Sequence, residues 1–160
     1  MELATALGEQ LARLQWVAAT AESCTGGGVA TAITDIAGSS AWFDRAFVTY
    51  SNEAKQEMLG VAAQTLDSHG AVSEAVVREM AAGALAHSRA DISVAISGIA
   101  GPGGGSESKP VGTVWFAWAD RHGWISAERY LFEGDRSAVR AQAVTVALEG
   151  MRKRMVALEP

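Results

Sequence analysis

The stretch Trp16-Val17-Ala18-Ala19-Thr20-Ala21-Glu22-Ser23-Cys24-Thr25-Gly26-Gly27-Gly28 changes character partway along. Trp16 to Thr20 is a short apolar run and reads as a buried strand. Ala21 to Gly28 is polar, then glycine-rich, and reads as a turn. Val29, Ile33 and Ile36 then recur at helical spacing. Strand, glycine turn and helix form the unit of an open α/β sheet. In such sheets ligands bind beyond the strand C-termini, which is where this turn falls. The stretch therefore sets the fold class and also the first place to look for chemistry.

Reading outward gives the rest of the fold. Leu3, Leu7, Leu11 and Leu14 mark one face of a first helix. Gly38-Ser39-Ser40 ends the second helix, and Ala46 to Tyr50 reads as a second strand. Ser51 is placed to cap a short helix carrying Lys55, Met58 and Leu59, with Gly60 at its end. His69-Gly70 reads as another helix end. Ser73 is placed to cap the next helix, which carries Val76, Val77, Met80, Ala84 and Leu85. Ile92 to Ser97 is a third strand. It runs into Gly98-Ile99-Ala100-Gly101-Pro102-Gly103-Gly104-Gly105, too glycine-rich for regular structure. Gly112 to Ala119 and Trp124 to Phe132 are β-rich, and Asp120-Arg121-His122-Gly123 between them predicts a hairpin. A last helix follows Gly134-Asp135, with Val139, Ala143, Val146, Ala147 and Met151 inward. The pattern predicts an α/β fold, three-layer α/β/α, with a mixed, mostly parallel sheet of about five strands. The hairpin requires at least one antiparallel strand.

The chain of 160 residues fits a single domain over 1–160. Its one cysteine, Cys24, has no partner for an internal disulfide, which fits a reducing cytoplasm or a reactive thiol. Net charge is −5 with no long basic run, which argues against nucleic acid as a main partner. The densest basic patch, Arg152-Lys153-Arg154, is expected at a helix C-terminus, offsetting its dipole. No apolar stretch approaches the roughly 20 residues of a membrane span. Met1-Glu2-Leu3 lacks the start of a signal peptide. The expected location is the cytoplasm, with no membrane partner.

Ser23 stands between a strand and a helix N-terminus, where the first N–H groups lack helical partners and can hold negative charge. A serine attacking a carbonyl creates an oxyanion that needs such donors. Gly26 and Gly27 allow close backbone approach. A simple capped turn is the alternative, and it stays open on these residues alone. A serine nucleophile also needs a base. His69, His87 and His122 each read as surface or capping residues, and no Gly-x-Ser-x-Gly elbow occurs. Three lysines exist. Lys153 lies in the basic tail, and Lys109 closes Ser106-Glu107-Ser108-Lys109 in a flexible loop. Lys55, just past the second strand, is the one placed to reach the crevice of Ser23. As a base it must be neutral, so its pKa must be lowered.

Five segments extend this reading. They are Ala21-Glu22-Ser23-Cys24-Thr25-Gly26-Gly27, Val48-Thr49-Tyr50-Ser51-Asn52-Glu53-Ala54-Lys55, Gly70-Ala71-Val72-Ser73, Ser97-Gly98-Ile99-Ala100-Gly101-Pro102 and Lys109-Pro110-Val111-Gly112-Thr113-Val114. In this order they closely resemble the CinA carboxyl-terminal domain family, whose stand-alone members are nicotinamide-nucleotide amidases. The resemblance runs from about Leu3 to Val156. It implies hydrolysis of the carboxamide of nicotinamide mononucleotide (NMN) to nicotinic acid mononucleotide and ammonia, in recycling towards NAD, with no metal and no cofactor. It implies Ser23 as nucleophile, Lys55 as base, and Tyr50 assisting proton transfer or holding Lys55. Some relatives carry an amino-terminal domain similar to molybdopterin-binding proteins, and this chain is expected to lack it.

The oxyanion is then expected on amides near Thr25, Gly26 and Gly27. The substrate phosphate is expected on the nest of Gly98, Ile99, Ala100 and Gly101, with Arg136 and Arg140 as clamps. Ser39 either bonds substrate or forms a turn. Trp42, Trp115, Trp118 and Trp124 belong to the core or to an interface, and exposed aromatics would favour a homodimer. Two rival readings remain. One makes Cys24 the nucleophile, with Glu22 and Lys55 as partners. The other is a non-catalytic nucleotide-binding or interaction module.

Overall fold

A computed structural model describes residues 2–160. In chain order the elements are α1 (Glu2–Leu14), β1 (Ala18–Glu22), α2 (Gly28–Thr34), a 3-10 turn (Ser39–Ala41), β2 (Phe43–Val48), α3 (Asn52–Leu59), α4 (Ala63–His69), α5 (Glu74–Ala86), β3 (Ile92–Gly98), β4 (Thr113–Asp120), β5 (Ile125–Leu131) and α6 (Arg136–Leu158). The strands form one sheet in the order β2-β1-β3-β4-β5. β1 pairs in parallel with β2 and β3. β4 runs antiparallel to both β3 and β5. Four strands therefore share one direction and β4 opposes them, in the mixed α/β sheet expected.

Register decides where the chemistry falls. Glu22, the last residue of β1, lies level with Val48 of β2 and Ile96 of β3. The three strands thus end near one rim, where Ser23 and Thr49-Tyr50 leave the sheet beside Ser97-Gly98, the last residues of β3.

Helices cover both faces. On one side α1, α2 and α6 bury Leu7, Leu11, Val29, Ile33, Val139, Leu148 and Met151 against Val94, Ile96 and Phe116. On the other, α3, α4 and α5 bury Leu59, Leu66, Val76, Val77 and Met80 against Ala21, Ala95 and Ala117. The second face of the sheet carries small residues, and α5 sits close enough for Ser93 Oγ to donate to the Ala81 carbonyl at 2.8 Å. Gly83 of α5 tightens this layer further. A Cβ there would stand 2.0 Å from the Leu59 carbonyl oxygen, so only glycine lets α3 dock. Truncating Leu7 or Met80 to alanine would cost about 2–5 kcal/mol, the usual range for a fully buried aliphatic side chain. Register also separates Phe116 from Trp115. Phe116 is fully buried toward α6, while Trp115 packs, partly buried, on the α5 side.

The caps are where the sequence places them. Ser51 Oγ accepts from the Ala54 amide at 3.0 Å, and Ser73 Oγ accepts from Val76 at 3.3 Å. Asp135 caps α6, and Gly60 closes α3 in the left-handed conformation. The elements differ from expectation in several places. β1 starts two residues later than the apolar run and includes Glu22. β2 starts earlier and releases Thr49 and Tyr50. α4 forms a helix of its own, of which the sequence marked only the end. The basic patch also differs from expectation, because α6 continues to Leu158 beyond it. There Arg154 donates to the buried Asp120 at 2.6 Å and lies over the Trp124 ring at 4.5 Å. Trp42 and Trp118 are buried core. No helix among the described residues is long and apolar enough to cross a membrane.

Candidate active site

Ser23 leaves the end of β1 with its amide still tied to the sheet, donating to the Ile96 carbonyl at 3.0 Å. This bond fixes the direction of its side chain. Lys55 arrives from α3, the helix that Ser51 caps just beyond the neighbouring strand end. Its Nζ lies 3.1 Å from Ser23 Oγ. The same Nζ donates to the main-chain carbonyls of Thr49 at 2.8 Å and Tyr50 at 3.4 Å. Only 1% of Lys55 is exposed. Burial holds its pKa below the ordinary lysine value.

Glu22 is fully buried beneath the turn. One oxygen accepts from Thr25 Oγ1 at 2.7 Å and from the Val29 amide at 2.9 Å. The other accepts from Thr20 Oγ1 at 3.0 Å and from the Ala30 amide at 2.9 Å. This corrects the expected use of the α2 N-terminus. Its free N–H groups meet the protein's own carboxyl group rather than a ligand. It also removes Glu22 as a partner for Cys24. The Cys24 thiol itself is pushed up to about 11, chiefly by burial, so little thiolate exists near neutrality.

The turn is held from outside as well. Arg140 of α6 donates from Nε to the Cys24 carbonyl at 3.0 Å and from Nη2 to the Thr25 carbonyl at 3.3 Å. The Gly26 amide is also engaged, donating to the Ser23 carbonyl at 3.0 Å. Among the described residues no protein acceptor meets the amides of Thr25 and Gly27.

Ser23, Cys24, Tyr50, Asn52, Lys55, Ala71, Val72, Ser97, Gly98, Ala100 and Arg136 line a cleft of about 230 Å³. A larger groove of about 350 Å³ lies far from this chemistry, between β5 and the end of α6. Of the residues expected at the site, Ser23, Lys55, Tyr50, Gly98, Ala100 and Arg136 meet in the cleft. Arg140 does not line it, because its guanidinium is spent on the two turn carbonyls. Ser39 lies by the opposite rim, beside the start of β2, and forms the turn reading of that residue. Ile99 and Gly101 support the wall instead of lining it. Ile99 exchanges main-chain bonds with Thr113 and Gly112, and the Gly101 carbonyl accepts from Arg136 Nη1 at 2.9 Å. The Tyr50 hydroxyl accepts from Arg136 Nη2 at 3.1 Å, so it is the Tyr50 carbonyl, not the phenol, that holds Lys55. Sequence reasoning assigned no role to Asn52, Ala71, Val72 or Ser97. Ser97, one strand away from Ser23 at the same rim, was open to discovery once register was known.

A serine and a buried amine in contact, at the strand ends of an α/β sheet, define the class: a protein with a serine–lysine site at the C-terminal rim of an open sheet. The chain belongs to the CinA C-terminal domain family, whose profile matches residues 1–155. It is 62% identical to the nicotinamide-nucleotide amidohydrolase PncC of Escherichia coli K12 over 93% of this chain and 90% of that one. A protein of the same name from Pseudomonas putida is 55% identical, over 93% and 92% of the two chains. Among solved structures, the competence/damage inducible protein CihA of Agrobacterium tumefaciens superposes with a TM-score of 0.93 at 48% identity, covering 94% of this chain and 92% of that one.

Proposed function

We propose that this chain is a hydrolase of an amide C–N bond, a nicotinamide-nucleotide amidase that converts NMN to nicotinic acid mononucleotide and ammonia through a Ser23 acyl-enzyme. The observation that carries this reading is the 3.1 Å contact of Ser23 Oγ with the buried Lys55 Nζ. The identity of 55–62% to amidohydrolases of that name supports the substrate.

Carbonyl oxygens only accept hydrogen bonds, so Thr49 and Tyr50 take two N–H bonds of Lys55. A neutral amine has two hydrogens and one lone pair. Its lone pair is then left for the Ser23 hydroxyl, and burial favours this neutral form. Ser23 Oγ attacks the carboxamide carbon, made electrophilic by the cationic pyridinium, and Lys55 takes the proton. The oxyanion rests on unpaired turn amides. When the C–N bond breaks, Lys55 returns the proton and ammonia leaves. Water then attacks the ester, giving a proton to Lys55, which passes it to Ser23 as the carboxylate departs. Arg136 at the cleft mouth is the phosphate partner in this reading, and Gly98 and Ala100 form the wall beside the ring.

The test is ammonia release from NMN by the purified chain. Ser23→Ala is expected to abolish release while leaving the melting temperature near that of the parent. Near-normal release from Ser23→Ala would overturn the assignment. An inert Cys24→Ser beside an active Ser23→Ala would shift it to the thiol.

A further inference from the structure

Arg140 does not line the cleft, yet it donates to two consecutive carbonyls of the turn that follows the nucleophile. A trans peptide is planar, with its C=O and N–H pointing in opposite directions. Holding the Cys24 carbonyl on the α6 side therefore turns the Thr25 N–H away from α6. That N–H meets no protein acceptor among the described residues. The next amide, Gly26, is consumed inside the turn.

We infer that Arg140 is a positioning residue that fixes the Cys24–Thr25 peptide with its N–H aimed at the oxyanion formed at Ser23. The inference rests on the amidase reading above and deepens it. Without Arg140 this peptide is free to rotate, and its carbonyl, a repulsive group, can face the developing negative charge. The arginine fork suits the task because one planar group serves two adjacent acceptors.

Gly26 acquires a role from the same geometry. Its φ is +57°, and a Cβ there would stand 3.2 Å from Arg140 Nη2. Glycine at this position leaves room for the guanidinium. It does not supply the oxyanion donor itself. The expected phosphate role of Arg140 is replaced by one directed at the peptide.

The test compares Arg140→Ala and Arg140→Lys with the parent, using NMN and its phosphate-free riboside. An oxyanion donor lost from position typically lowers kcat by about a hundredfold or more. Arg140→Ala is expected to lose that much on both substrates, with KM for NMN within about twofold of the parent. Arg140→Lys, which can serve one carbonyl, should recover part of the loss. Millimolar, non-denaturing guanidinium chloride should restore part of the Arg140→Ala rate, which no misfolded variant would show. A raised KM confined to NMN would overturn the inference in favour of a phosphate clamp. A folded Arg140→Ala with unchanged kcat would also overturn it. If the parent releases no ammonia from NMN, the amidase reading fails, and the rate of Ser23 labelling by a phosphonofluoridate carries the test instead. Slower labelling of Arg140→Ala supports the positioning role, and equal labelling overturns it.

Discussion

Two glycine-rich segments meet at the cleft, and they are held in opposite ways. The Glu22-to-Gly28 turn is clasped by the buried Glu22 and the partly buried Arg140. Glu22 ties the turn's Thr25 hydroxyl to Thr20 of β1 and to the Val29 and Ala30 amides of α2, and Arg140 holds two of its carbonyls from α6. The segment from Gly98 to Gly112 is anchored at Ile99, Gly101 and Lys109, while residues 102–108 between them are exposed. Glycine content alone makes the two look alike. Their attachments divide the labour, because a reacting centre needs donors that do not reorganise, whereas a recognition wall tolerates adjustment.

The contrast is broken most severely at the base. Lys55→Met is expected to lower turnover by at least about a thousandfold, within the range for loss of general base and nucleophile activation. The same variant should melt at a higher temperature, since a buried amine is exchanged for an apolar side chain of similar length. The pH dependence has a definite sign. Lys55 is lowered in the folded chain, so between that lowered pKa and its ordinary 10.5 the unfolded chain binds more protons. Stability therefore gains a contribution as pH rises through that window, and Lys55→Met removes that slope in urea titrations. Activity of the parent should likewise rise with pH through the lowered pKa, as the amine becomes neutral.

Next in size is Glu22→Ala. It strands the amides of Val29 and Ala30 and two threonine hydroxyls in the interior. The expected loss is on the order of 3 kcal/mol or more, read from urea midpoints at constant slope. Arg136→Ala at the cleft mouth should raise KM for NMN about tenfold with kcat nearly kept, as loss of one charged contact implies. Lys109→Ala frees the second segment from the His69 carbonyl. It should change KM only by about twofold and stability by at most about 0.5 kcal/mol. A large kcat loss from Lys109→Ala would erase the distinction between the two segments.

The sequence disclosed what is local and periodic. The spacing of Leu3, Leu7, Leu11 and Leu14 foretold α1, and Ser51, Ser73 and Asp135 foretold their helix starts, because caps depend on near neighbours. The edges of β1 and β2 were misjudged, since pairing across the sheet decides where a strand stops and hydropathy does not. α4 was nearly invisible because its seven residues bury a single side chain, Leu66. At the site, Ser23 and Lys55 were legible through motif and resemblance. The contacts of Glu22 and Arg140 were not legible, for a shared reason. Arg140 meets two main-chain carbonyls and Glu22 meets two main-chain amides beside two threonine hydroxyls, and main-chain groups leave no mark on residue identity.

The buried Glu22 has a consequence for the medium in which the enzyme works. The mouth of α2, a natural seat for chloride, sulfate or free phosphate, is already filled by a group that cannot diffuse away. Arg136 is the exposed cation lining the cleft among the described residues, and dissolved anions therefore compete there with the substrate phosphate. The bond-breaking step at Ser23 should accordingly be indifferent to the ionic composition of its surroundings, while capture of the nucleotide remains sensitive to it.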